Sequence, residues 1–285
     1  MTKFIKLLPI RTRFLATSES IKAGILRDLY RGSNWSHFCL RCLEYTPLFI
    51  LTVFEGKAPA YLLKYFEKQM PPEVIVLGDL TYSAKITFLY KKNKIVIKFG
   101  ITKEAKRQII LEKIALRKLK HSNFPFGENI KLGSPNKIIS PYIPMCKLSE
   151  ICMYEILPLL SSLLKLPNQE ASRNSDGNLL TYCHGDLAVW NVTKIDNYLV
   201  AFDWEFFGID LAGLDLFYFC SSIFFLRNKS VSSADFFATY KELYNQAYQG
   251  EPLDEHLYLK FIVCIKKRSP PVYNWLTQRG LNSFK

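Results

Sequence analysis

The stretch TYCHGDLAVWNVTKIDNYLVAFDWEFFGIDLAGLD, Thr181 to Asp215, decides how the rest of the chain is read. His184, Gly185 and Asp186 come first, Asn191 lies five positions after the aspartate, and Asp203 seventeen after it. Two short apolar runs, Val189 to Thr193 and Tyr198 to Phe202, flank the polar turn Lys194 to Asn197, the pattern of a loop followed by a tight hairpin. Folding back in this way is expected to bring Asp203, at the end of the second strand, beside Asn191 at the start of the first. A carboxylate and an amide so placed are hard oxygen donors, the kind magnesium takes when phosphates also hold it. Asp186, just upstream and not needed as a ligand, is left to accept a proton from a hydroxyl.

HGDLAVWN followed by AFDWE resembles the paired signatures of the aminoglycoside phosphotransferase and choline kinase family, small-molecule kinases with a protein-kinase-like fold. Protein kinases spread the same roles over an H-R-D-x-x-x-x-N loop and a later D-F-G. Here Gly185 replaces the arginine, and Trp204 and Glu205 follow the second aspartate, which favours the small-molecule branch. The resemblance implies an α+β, protein-kinase-like two-lobed fold with a small β-rich N-lobe and a mostly helical C-lobe. It implies ATP and Mg2+ as cofactors. It also implies Asp186 as catalytic base with His184 beside it in the catalytic set, and Asn191 and Asp203 as metal ligands.

Upstream the pattern is that of a sheet. Val74 to Leu77, Ala84 to Tyr90 and Ile95 to Phe99 read as strands, with Lys91 to Lys94 turning between the last two. Gly78 to Ser83, GDLTYS, joins the first two strands; in a kinase-like lobe this loop covers the ATP phosphates with its backbone amides, so Gly78 and Ser83 are placed at the nucleotide. Lys98 lies in IVIKF, where a strand should be apolar, and a lysine in such a row needs an anion or a route to solvent. By resemblance it is the lysine that contacts the nucleotide phosphates. Thr102 is suited to cap the following helix, whose apolar stripe includes Ile109, Leu116 and Leu119. Glu112, two turns beyond Glu104, is the expected partner of Lys98. FPFGENIKLGSPNKIISPYIP supplies two short strands and leads to Tyr142 and Ile143, whose backbone the resemblance places at the adenine edge. The expected organisation is therefore an N-terminal extension over 1–70, helical at 17–29 and 58–69, a nucleotide-binding lobe over 71–145, and a catalytic lobe over 146–285.

Downstream the chain reads as helical. Ser149 caps a helix expected from Glu150 to about Lys165, with Pro158 as a kink. Past Asp203 the chain passes directly to Asp210, Gly213 and Asp215 and then to an apolar helix over Leu216 to Leu226, with further helices at 233–247 and 254–267. No long activation segment ending in A-P-E intervenes, which counts against a protein substrate. By resemblance Asp215 ties the catalytic loop through backbone hydrogen bonds. Lys266, Lys267 and Arg268 read as a solvated basic cluster.

A net charge of +13 is unevenly placed. Residues 1–147 carry 26 basic and 10 acidic side chains, whereas 148–285 carry 12 and 15, so the presumed metal aspartates sit in the acidic half. The basic half suits a nucleotide or another anion, and equally a solvated surface. Seven cysteines, an odd number in mostly apolar surroundings, indicate a reducing compartment. Cys39 and Cys42 form a C-x-x-C without a second pair to complete a zinc site. The N-terminus lacks a long apolar core with a cleavage site, and the Pro47 to Phe54 run is too short to span a bilayer. A cytoplasmic protein is expected, with the aromatic and basic N-terminal region admitting a place at the inner face of a membrane. The acceptor is read as a small molecule or saccharide. A sugar is preferred slightly over an amino alcohol, for which Glu205 and Asp210 offer acidic groups. No nucleic-acid motif accompanies the charge, so no nucleic-acid partner is expected. The alternative is a pseudokinase or an interaction protein that binds nucleic acid or anionic surfaces on the same scaffold.

Overall fold

Alternating apolar positions build the first half of the molecule. In the computed structural model, residues 4–7, 13–16, 55–56, 74–77, 84–90, 92–120, 135–144, 146–166, 172–227 and 232–281 are described. Seven strands form one antiparallel sheet: β1 (Phe4–Leu7), β2 (Arg13–Ala16), β3 (Glu55–Gly56), β4 (Val74–Leu77), β5 (Lys85–Tyr90), β6 (Ile95–Gly100) and β7 (Lys137–Pro141), in the order β3-β1-β2-β4-β5-β6-β7. Ile86 and Phe88 of β5, Ile97 of β6 and Ile138 of β7 are fully buried. Each such side chain stabilises the fold by roughly 1.5–3 kcal/mol. The register sets Thr87 and Ile138 on either side of Lys98, so the lysine is fixed in the middle of the sheet. Residues 4–7 and 13–16, within the stretch read as a helical extension, are strands of this sheet. The segments 17–29 and 58–69, the loop holding Gly78 and Ser83, the first of the two strands expected before Pro135, and Cys39 and Cys42 lie outside the described residues.

Helix α1 (Lys103–Lys120) follows β6 directly. Thr102 Oγ1 accepts from the Ala105 amide, capping the helix, and also from the Ala84 amide at the start of β5. Ile109, Leu116 and Leu119 form its buried stripe. The chain divides into two compact units, residues 1–113 with 129–144 and residues 114–128 with 145–285.

The second unit is mostly helical: α2 (Leu157–Leu164), α3 (Leu214–Arg227), α4 (Ser233–Ala247), α5 (Glu255–Arg268) and α6 (Pro270–Gln278). Between α2 and α3 lie four short strands, β8 (Leu180–Cys183), β9 (Val192–Ile195), β10 (Tyr198–Ala201) and β11 (Gly208–Leu211), paired as β9/β10 and β8/β11. With its β-rich first unit and mostly helical second, the chain has an α+β organisation. Three local expectations need correction. In place of one helix from Glu150, two 3-10 turns (Leu148–Glu150 and Met153–Ile156) precede α2, and Pro158 sits in the first turn of α2. There its missing N–H costs nothing, so it starts the helix and does not kink it. Gly208–Leu211, passed over as connection, is a strand paired to β8. Helix α6 was not anticipated, because its opening Pro270-Pro271 reads as a break although prolines suit a first helical turn.

An aromatic core locks α3 to its neighbours. Phe217 meets Phe236, Tyr240, Tyr258 and Phe261 at centroid distances of 5.1–5.9 Å. Gly213, just before α3, has φ +91°, and a Cβ there would come within 2.5 Å of the Tyr244 ring, so only glycine allows α4 to approach this closely.

Candidate active site

In the β-rich unit, Lys98 and Glu112 meet. Lys98 Nζ donates to Glu112 Oε1 at 2.7 Å, with both side chains buried. Glu112 Oε2 is buried with no hydrogen-bond partner, so the pair is neutral as a whole but incompletely solvated. Downstream of β7, the Tyr142 amide donates to Lys94 O at 2.8 Å. A base edge at this position would therefore have to take its amide donor from Ile143.

In the helical unit, the loop after β8 carries the remaining chemistry. Ala201 of β10 pairs with Val192 of β9, and the Phe202 amide donates to Asn191 O at 3.0 Å. The hairpin thus fastens the residue just before Asp203 to Asn191. Asp203 itself has φ +67°, an uncommon conformation for a residue with a side chain. Asn191 Nδ2 donates both to Asp186 O and to Asp186 Oδ2, at 2.8 and 2.9 Å. Burial pushes the Asp186 carboxyl up to about 7, and the charge of Asp203 adds to the rise. Bonds from Asn191 and Tyr218 and the charge of Arg268 act in the opposite direction.

His184 is fully buried, and both ring nitrogens are engaged. Nδ1 lies 3.2 Å from the Asp186 amide that donates to it, and Nε2 is 2.9 Å from Phe202 O. An acceptor Nδ1 requires the proton on Nε2, which then donates to Phe202. The ring stacks at a tilt on Trp204, 4.5 Å between centroids, and Trp204 in turn donates from Nε1 to Ala201 O. These contacts make His184 a brace between the Asp186 loop and the Asp203 turn. Gly185 has φ +86°, and a Cβ there would stand 2.3 Å from Phe206 O. Position 185 is thus closed to any side chain by the turn after Asp203.

Asp215, at the start of α3, accepts from the His184 and Gly185 amides at 2.6 and 3.1 Å. Burial pushes its carboxyl up to about 6, held back first by the His184 amide and then by Arg268. Arg268 is exposed, as the Lys266-Lys267-Arg268 run suggested, but it is also paired. Its Nη2 donates to Asp210 Oδ2 at 2.9 Å, which places its charge near the carboxylates of the loop. Sequence reasoning also missed Tyr218, Ser222 and Ser269, which surround the loop. Their only sequence signal is that hydroxyl-bearing residues interrupt apolar or helix-terminal runs.

Asp203 and Asn191 fit a magnesium ion on the chemistry of their donors. With Asn191 Nδ2 spent on Asp186, the amide oxygen is the atom able to ligate. The mutual charge of Asp186 and Asp203 is also the kind of strain a cation relieves. Among the described residues, no group of three or more His, Cys, Asp or Glu is assembled to hold a metal. A magnesium ion here would need phosphate oxygens to complete its shell, as this ion normally does in nucleotide sites.

No family model and no curated protein matches the chain. Solved structures that resemble it include a streptomycin-ATP-APH(2")-IIa ternary complex, with 13% identity, TM-score 0.47, and coverage of 68% of this chain and 83% of that one. Amicoumacin kinase hAmiN in complex with AMP-PNP, Ca2+ and Ami gives 13%, 0.46, 82% and 86%, and a type I macrolide 2'-phosphotransferase gives 13%, 0.45, 74% and 91%. Likeness at this level leaves the chemistry to be argued from the residues of this chain.

Proposed function

We propose that the chain is an ATP-dependent phosphotransferase that moves the γ-phosphate to a hydroxyl of a small molecule or saccharide. The observation that carries this reading is the fastening of Asp186 and Asn191 to each other beside the Asp203 turn, in surroundings that raise the carboxyl of Asp186. A carboxyl poised near neutral pH is suited to receive a hydroxyl proton as the phosphoryl group departs. Asp186 is assigned as base, Asn191 and Asp203 as magnesium ligands, Lys98 as the phosphate contact and Glu112 as the group that orients Lys98. Bound magnesium would supply charge neutralisation on the phosphates. His184 is assigned a supporting part, holding the Asp186 loop against the Asp203 turn without touching substrate. Gly78, Ser83, Tyr142 and Ile143 complete the assigned nucleotide contacts.

The pairing of Asp210 with Arg268 bears on the acceptor. Of the two acidic groups named for a cationic amino alcohol, Glu205 and Asp210, the second already has its charge matched. A neutral hydroxyl acceptor such as a sugar is favoured. Among the described residues no helix is long and apolar enough to cross a membrane, and a cytoplasmic site of action is assigned on the thiol content.

The test is a magnesium-ATP phosphorylation screen across sugars, saccharide-core fragments, aminoglycosides and amino alcohols. Asp186→Ala should lower transfer by about 10²–10⁴-fold while magnesium-ATP still binds; Asp203→Ala should instead weaken magnesium-dependent ATP binding. Full turnover by the first variant removes the base assignment, and unchanged affinity in the second removes the metal assignment. Wild-type protein that neither binds magnesium-ATP nor turns it over would make the chain a pseudokinase.

A further inference from the structure

Helix α1 is committed to the core along Ala105, Ile109, Leu116 and Leu119. Its other side has an unusual composition. Between Lys103 and Leu119 the exposed residues are Lys103, Lys106, Arg107, Ile110, Ile114 and Arg117, cations and isoleucines with no acid and no neutral polar residue among them. The steps from 103 to 107, 110, 114 and 117 alternate four and three residues, so these side chains share one strip, roughly 20 Å long. Both acids of the helix are spent elsewhere: Glu112 is buried against Lys98, and the half-buried Glu104 pairs with Arg107. Lys103, Lys106 and Arg117 have no ion-pair partner among the described residues. Folding does not account for the strip. Lys103 and Lys106 stand in the first turn, at the positive end of the helix dipole, whereas α5 carries Lys266, Lys267 and Arg268 in its last turn, where the dipole favours them. Ile110 and Ile114, one turn apart, are 46% and 38% exposed, although covering them would be favourable.

We propose that this strip of α1 seats the protein on an anionic lipid surface, with Ile110 and Ile114 entering the headgroup boundary and Lys103, Lys106, Arg107 and Arg117 meeting the anionic headgroups around them. The chemistry of the strip separates this occupant from others. A protein partner needs about 1,000 Å² or more of contact, centred on buried anchors that are most often aromatic, and the strip has no aromatic residue. A nucleic acid would use the cations but would set its phosphates against the isoleucines, which offer them nothing. A lipid surface uses both, because the apolar side chains enter the acyl boundary while the long basic ones reach back to the headgroups. With the opposite face of α1 held in the core, only the strip is free to enter, so the contact is shallow, reversible and mainly electrostatic. The excess of basic side chains over residues 1–147 acts in the same direction. The inference does not depend on the phosphotransferase assignment.

The test is co-sedimentation of the full chain with vesicles of phosphatidylcholine mixed with phosphatidylglycerol, against vesicles of phosphatidylcholine alone. Wild type should bind the first, leave them at high salt, and ignore the second. Lys103→Gln, Lys106→Gln and Arg117→Gln together should weaken binding about a hundredfold, at about fivefold per cation. Ile110→Ser with Ile114→Ser should weaken it about tenfold. All five positions are exposed, so the fold is retained, which Tm checks. Lys266→Gln with Lys267→Gln is the control: it removes two exposed cations from α5 and should cost no more than about twofold, since charges away from the contact are screened. Wild type that stays off the anionic vesicles overturns the proposal, as does either α1 variant that binds like wild type, or an α5 variant weakened as much as the α1 cation variant. Two other outcomes reassign the strip and overturn it as well. Duplex RNA bound equally by wild type and the isoleucine variant, with vesicles left unbound, gives the strip to nucleic acid; self-association abolished by Ile110→Ser with Ile114→Ser, again without vesicle binding, gives it to a second copy of the chain.

Discussion

The two units of the molecule handle buried charge in opposite ways. In the β-rich unit, Lys98 and Glu112 cancel each other inside a packed sheet and helix, at 2.7 Å and nearly without solvent. In the helical unit, Asp186, Asp203 and Asp215 concentrate negative charge on one short loop and its anchor, and the cation acting on two of them, Arg268, is itself shared with Asp210. The first arrangement is neutral before any ligand arrives, although Glu112 Oε2 is left without a hydrogen-bond partner, so its main effect is to hold one lysine in one place. The second stores unfavourable energy that a proton or a divalent cation would relieve. Rigid positioning in one unit and unrelieved charge in the other are the features on which the proposed phosphoryl transfer would draw, since that chemistry depends chiefly on placement and electrostatics.

Breaking the neutral pair should have the largest effect on stability. Lys98→Met leaves Glu112 buried and uncompensated, which costs about 3–5 kcal/mol when one partner of such a pair is removed. Replacing both partners, as Lys98→Met with Glu112→Leu, should recover most of that loss, since apolar residues of similar volume commonly substitute for a buried ion pair. Chemical denaturation of the single and double variants checks this. A double variant as unstable as the single would mean that the pair is not what fixes β6 against α1.

The frustrated cluster should respond in the opposite direction. The folded-state carboxyl of Asp186 titrates near 7, well above the ordinary aspartate range, so between about pH 4 and pH 7 the folded chain holds a proton that the unfolded chain has released. Stability therefore falls as pH rises through this window, and the cost is fully present above it. Asp186→Asn keeps an acceptor for Asn191 and removes the charge. In magnesium-free buffer it should be more stable than wild type at pH 8, by up to about 4 kcal/mol for a three-unit displacement. The advantage should vanish near pH 4. Thermal unfolding at the two pH values reads it directly; equal Tm differences at both would mean that Asp186 carries no burial cost.

How much of this was legible follows from where the constraints lie along the chain. The β9–β10 hairpin could be read because turn residues separate two short apolar runs, and that alone carries Asp203 back to Asn191. Strands β4 to β6 and the α1 stripe follow from alternation and helical spacing, and a lysine in the middle of IVIKF announces a buried partner. What could not be read came from distant segments meeting. Arg268 is 58 positions from Asp210, and in sequence it is one of three adjacent basic residues with nothing to single it out. Tyr218 lies in LDLFYFCSSIFFL, where every residue except Phe225 is buried, so periodicity cannot mark the face turned to the loop. Gly185 could be read only as a departure from the HRD triplet; that the Phe206 backbone stands where its Cβ would be is visible only in the fold.

The smallest expected effect sharpens the contrast most. Arg268 lowers the carboxyls of both Asp186 and Asp215 and pairs with a partly exposed Asp210, so the helical unit does contain some compensation. Arg268→Gln removes that charge while keeping a long polar side chain. The loss of the Asp210 pair is worth at most about 1 kcal/mol, as for other solvent-accessible ion pairs. The pH dependence carries more information than the size. Without Arg268 both carboxyls rise further, so the penalty for ionising them grows, and the Tm loss should be larger at pH 8 than at pH 5, where protonation already relieves the cluster. The same substitution in an Asp186→Asn background should show a smaller pH dependence, because one of the two affected carboxylates is gone. A Tm loss of equal size at both pH values would confine Arg268 to its surface pair with Asp210, and leave the charge of the loop to be met by bound cation alone.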